Sequence, residues 1–127
     1  MVLETTPFTD YALVFLRIII AVILFSSGKG HVQNPKERAK SLGLSINVTL
    51  FLGIAEMLSA ISIAFGIFAQ IGAVIIIGAM LGAIYMKIFK WKTGFYAEEG
   101  FGWHYDLLIL LATSVVFTTA GGLLVIV

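Results

Sequence analysis

Residues 47–89 read NVTLFLGIAEMLSAISIAFGIFAQIGAVIIIGAMLGAIYMKIF, two apolar runs that meet at Gly66-Ile67-Phe68-Ala69. A helix of about 20 residues rises about 30 Å, the thickness of a hydrocarbon core. The joint between the runs is too short for anything but a tight hairpin, so the two helices are antiparallel neighbours. Working outward, Tyr11 to Ser27 precedes this hairpin and Tyr105 to Val127 follows it. All four runs are continuously apolar, with none of the alternation a membrane barrel needs, and in lipid only helices otherwise satisfy their own backbones. The sequence predicts one all-α domain over residues 1–127, an integral membrane four-helix transmembrane bundle with helices at about 11–27, 47–66, 69–89 and 105–127.

Composition agrees. Of 127 residues 60% are hydrophobic and 12% charged, and the mean hydropathy is +1.06. Soluble domains carry about a quarter charged residues. A net charge of +1 gives no reason to expect nucleic acid. Without cysteine there are no disulfides and no thiol-ligated iron–sulfur or zinc sites. The N-terminal ten residues are acidic and lack a basic signal-peptide region, so the first run reads as a retained transmembrane helix.

At the ends of the runs and between them, the basic residues gather on one side. Lys29, Lys36, Arg38 and Lys40 follow the first helix, and Lys87, Lys90 and Lys92 close the third. The positive-inside rule puts that side in the cytoplasm and both termini outside, in a plasma or inner cell membrane. Asn34-Pro35 marks a turn before a short basic stretch on the membrane surface. The loop from Trp91 to His104 is rich in aromatics, the composition of an interfacial belt, with three glycines that also permit a folded, partly re-entrant path. Asn47-Val48-Thr49 fits a glycosylation sequon, but at a cytoplasmic helix start it reads as a helix cap.

Two charges lie deep inside the runs, away from their ends, Arg17 and Glu56. An ionisable group at mid-membrane costs roughly 2.5–3.5 kcal/mol on insertion scales, which a partner, a cavity or a function must offset. With helix ends set near Gly28 and Ile46, both charges lie about 15–16 Å deep. Matched depth on sequential helices predicts a buried Arg17–Glu56 pair, either a clamp that fixes helix register or a proton- or ligand-handling site. Gly53, Ser59 and Ala60 surround Glu56 at helical spacing and turn it toward the bundle. Gly78-x-x-x-Gly82 reads as a packing motif, used within the bundle or against another subunit. His31 and His104 fall at the cytoplasmic boundary with Trp103, Tyr105 and Asp106. These five form a candidate mouth for a quinone head group or another ligand. Their spacing does not demand haem ligation, and neither haem nor a metal is expected.

Several of these residues resemble the DoxX family: Leu16-Arg17, the Phe25-Ser-Ser-Gly28-Lys29 exit, and Gly53-x-x-Glu56. So do the hairpin glycine Gly66, Gly94-Phe95, and the acidic start of the last helix followed by Gly121-Gly122. The resemblance implies a small four-helix membrane protein similar to the membrane component of thiosulfate:quinone oxidoreductase, with Arg17 and Glu56 at family polar positions. The chain departs from the pattern at Gln70, where arginine is frequent, at Asp106, where glutamate is common, and in its apolar C-terminal run.

The leading expectation is therefore a membrane subunit of a quinone-linked oxidoreductase. A quinone head group would sit near the aromatic boundary, Glu56 would carry the proton, and electrons would come from another subunit. The alternative is a non-catalytic accessory or assembly subunit of a larger complex. Its partners would be other membrane or peripheral redox subunits, a second copy of the chain, and membrane lipid.

Overall fold

The computed structural model describes residues 3–127. A 3-10 turn over Thr6–Phe8 leads into α1 (Thr9–Gln33), which is followed by a short α2 (Pro35–Leu42), α3 (Ile46–Phe65) and α4 (Ala69–Tyr85). The last turn of α4 loosens into a π-helical segment over Met86–Lys90, and α5 covers Trp103–Thr119. The protein is an all-α membrane bundle. Three spans, Thr6–Gln33, Ile46–Phe65 and Ala69–Lys90, are long and apolar enough to cross a membrane, and α5 is a shorter apolar helix.

Each long helix buries one stripe. On α1 the buried positions are Leu13, Arg17, Ile20, Ala21, Leu24, Gly28 and His31, and on α3 they are Thr49, Gly53, Glu56, Ser59, Ala60 and Ile63. Both sets recur at three- and four-residue spacing, one face of a helix. Leu24, Ile63, Ile76 and Val116 fill the centre. Phe15, Val22, Phe51, Leu58, Ile71 and Leu108 stand outward, the apolar exterior that lipid requires. Buried hydroxyls bond their own helices, Ser59 to Ala55 O at 2.7 Å and Thr113 to Ile109 O at 2.7 Å, so none is left bare among the side chains.

α1 packs chiefly on α3, while α4 packs on both α3 and α5. The α3–α4 hairpin is as tight as the sequence requires. Gly66 takes φ +70° and Phe68 φ +49°, and the Ser62 hydroxyl donates to Ile67 O at 2.6 Å. Ser45, not Asn47, caps α3, accepting from Val48 N at 3.2 Å. The side chain nearest the helix start with a free oxygen wins that role.

Two helix ends differ from the sequence reading. α1 runs to Gln33 rather than Ser27, because Gly28 is an internal packing position and not a stop. α5 ends at Thr119, where Ala120, Gly121 and Gly122 all take positive φ. The apolar tail then folds back over the hairpin, with Ile126 N and Val127 N both donating to Gly66 O at 3.1 Å. An apolar run continues a helix only while its backbone stays right-handed, and two consecutive glycines release it.

Candidate functional site

The site begins with two glycines. A Cβ on Gly28 would fall 2.5 Å from Gly53 O, and one on Gly53 would fall 2.8 Å from Gly28 O. α1 and α3 therefore cross backbone to backbone at this level. α1 and α3 run antiparallel, so Gly53 faces His31 while Gly28 faces the turn of α3 that carries Glu56, and the crossing brings His31 against Glu56, with His31 Nε2 3.8 Å from Glu56 Oε2. His31 is 5% exposed and Glu56 4%. Glu56 Oε2 and His31 Nδ1 have no hydrogen-bond partner.

The crossing also separates the pair expected from sequence. Gly28 faces the turn of α3 that carries Glu56, so Arg17 lies about 16 Å further along the bundle than Glu56. The error lay in ending α1 at Gly28. Arg17 is instead spent on the returning C-terminal tail, donating from Nη1 to Gly121 O at 2.9 Å and from Nη2 to Leu124 O at 3.0 Å. Asp10 Oδ1 holds the same tail by accepting from Leu123 N at 2.9 Å. Among the described residues the two ion pairs are His31–Glu56, ionic when His31 is protonated, and Lys87–Asp106.

Lys87 and Asp106 meet at 2.7 Å across the α4–α5 boundary. The π-helical segment carries Lys87, and such local widening is frequent at functional sites. The Lys87 ammonium also stands 5.8 Å from the centre of the Tyr105 ring. Sequence reading took Lys87 only as part of the basic side. Its placement at the end of one apolar run, facing the acidic start of the next, was the available signal.

Both couples border one cavity of about 540 Å³ at the basic end of the bundle. Leu24, Met80 and Ile109 are among its apolar walls, and Ser27, Tyr105 and, from α2, Arg38 reach it as well. Of the five residues expected at a mouth, His31, Tyr105 and Asp106 line this cavity. Trp103 and His104 do not. The aromatic loop draws them away: Trp103 packs edge-on against Phe95 with ring centres 4.6 Å apart, and His104 Nδ1 lies 2.5 Å from Phe95 O. The two histidines thus serve different environments. Phe101 stacks on Tyr105 at 4.4 Å and closes the cavity beside the loop. Gly78 and Gly82 do not pack against another helix, since a Cβ on either meets open space: Gly78 is exposed on α4, and Gly82 borders the cavity.

The arrangement is a cavity of small-molecule size, mostly apolar, with a few convergent polar groups. It can hold the head of an apolar molecule while offering it an acid–base couple. Fold and site together define an integral membrane helical bundle with an internal acid–base cavity at one end. The DoxX family model matches residues 12–91, and the chain belongs to that family. The matched region contains Arg17, His31, Glu56 and Lys87, while Tyr105 and Asp106 lie beyond it. No curated protein and no solved structure matches the chain.

Proposed function

We propose that the protein is the membrane subunit of a quinone-linked oxidoreductase, and that a membrane quinone places its head group in the cavity at the basic end. The observation that carries this reading is the buried Glu56–His31 couple, which leaves unpartnered polar atoms on an apolar-walled cavity of about 540 Å³. Buried polar atoms are nearly always satisfied, so these exceptions call for an occupant. A quinone supplies two-electron, two-proton chemistry. The chain's own residues hold the proton at Glu56 Oε2 or His31 Nε2, and Leu24, Met80 and Ile109 exclude water around the ring. Lys87, fixed by Asp106, and Arg38 contribute positive charge to the same cavity. Electrons come from a partner redox subunit on the basic side. By the positive-inside rule that side faces the cytoplasm of a cell membrane, and both termini face out.

Trp91 lines the cavity and Trp103 does not, which supplies an optical test. In a Trp103→Phe variant, Trp91 is the one tryptophan left of two. Titrating this protein in detergent with a short-tailed quinone should quench Trp91 saturably, and Glu56→Met should weaken the binding about tenfold. Quenching that never saturates, or is unchanged by the variant, overturns the reading. A second reading, an accessory subunit without chemistry, has the exposed Gly78 in its favour, because small residues admit a neighbouring membrane helix closely. Co-purification of a tightly held partner, with no saturable quinone binding, would select it.

A further inference from the structure

The Glu56–His31 gap specifies more than an occupant. His31 Nε2 and Glu56 Oε2 are 3.8 Å apart, too far for a hydrogen bond and close enough for one oxygen set beside both to reach each of them. We infer that this gap is built for a ligand hydroxyl, and that the cavity therefore holds the dihydroxy aromatic form of its ligand, a hydroquinone, in preference to the quinone. The inference rests on the quinone reading above and names the redox form that the site selects.

The argument follows from donor and acceptor counting. The carboxyl and imidazole share one exchangeable proton between them. With that proton on His31 Nε2, a ligand hydroxyl accepts from the imidazole and donates to Glu56 Oε2. With it on Glu56, the hydroxyl accepts from the carboxylic acid and donates to a bare Nε2. Either way the two atoms that face the gap, His31 Nε2 and Glu56 Oε2, are both satisfied. A quinone carbonyl only accepts, so it satisfies one member of the couple and leaves the other bare in a site where bare polar atoms are costly. Both side chains are more than nine-tenths buried, so bulk water does not make good the difference. The gap thus distinguishes O–H from C=O on rings of nearly equal size.

The test needs three ligands that share one ring and one decyl tail: the hydroquinone, kept reduced under argon, the quinone, and the hydroquinone's bis-methyl ether. Their affinities for the intact detergent-purified protein are measured by calorimetry at neutral pH. The hydroquinone should bind about tenfold more tightly than either of the other two, and Glu56→Met should shrink the difference to about twofold. Equal affinity for quinone and hydroquinone overturns the inference while leaving the quinone site standing. That result would mean that water alone bridges the couple. Binding of none of the three overturns both readings. A preference that survives Glu56→Met removes the couple as its cause. The wild-type comparison stands even if the variant fails to fold.

Discussion

Arg17 is 2% exposed, and its guanidinium donates to two carbonyls of a tail more than a hundred residues away in sequence. Those carbonyls belong to a segment outside any helix, so the arginine supplies donors that the backbone cannot. Hydrogen bonds to charged groups are worth about 1.5–3 kcal/mol each, and part of that offsets the cost of burying the charge. Arg17→Gln should therefore lower stability by about 2–4 kcal/mol, read by SDS titration in mixed micelles. Because Arg17 and Glu56 do not touch, Arg17→Gln and Glu56→Gln should be additive within about 0.5 kcal/mol in a double-mutant cycle. A coupling well above that would restore the direct pair that equal depth suggests. Lys87 poses the opposite case. Its contact with Asp106 at 2.7 Å is largely shielded from solvent, so Lys87→Met strands a buried carboxylate and should cost about 3–5 kcal/mol. Replacing both partners, Lys87→Met with Asp106→Leu, should recover most of that loss in the same titration. A double variant no more stable than the single one would show that Asp106 has some other essential contact.

Among the helices, the glycines separate into two kinds that sequence spacing does not distinguish. Gly28 and Gly53 form the crossing of α1 and α3, and an added Cβ on either strikes the other's carbonyl oxygen. Backbone cannot rotate aside as a flexible side chain can, so the helices must part and carry His31 away from Glu56. Gly53→Ala should therefore lower the melting temperature and abolish ligand binding together. Gly78 lies on the open face of α4 with nothing near its Cβ position, and there Gly→Ala removes only the entropic penalty of glycine in a helix. Gly78→Ala should raise stability by about 0.5–1 kcal/mol in the purified monomer. Destabilisation instead would show that another helix, from a second copy or a partner, already lies against that face. The Gly78-x-x-x-Gly82 motif was plain in the sequence, but a motif records only that close approach is possible. The partner comes from the crossing geometry, and here the crossing chose Gly28 and Gly53.

For the whole molecule, hydropathy was enough to read the bundle and the hairpin, because a chain in lipid has few other ways to satisfy its backbone. Burial of Glu56 was legible too, from the small residues at helical spacing around it. Depth was not, because it depended on where α1 ends. A five-residue extension past Gly28 moved His31 into the bundle, and the turn at Gly121-Gly122 gave Arg17 a different partner. Both are long-range contacts between segments whose local pattern is simply apolar. The aromatic loop was likewise readable as aromatic but not as a cluster that removes Trp103 and His104 from the cavity. Orientation is the remaining global property, and the sequence makes it testable because the chain has no cysteine. Single cysteines introduced at Thr5 and Lys40 then report separately from two exposed positions, Thr5 before the first helix and Lys40 on α2. If the basic end faces the cytoplasm, an impermeant maleimide added to intact cells should label Thr5→Cys and leave Lys40→Cys unlabelled until the membrane is permeabilised. The reverse pattern would invert the protein. The cavity would then open outward, and its redox partner would have to be sought on the outer side of the membrane.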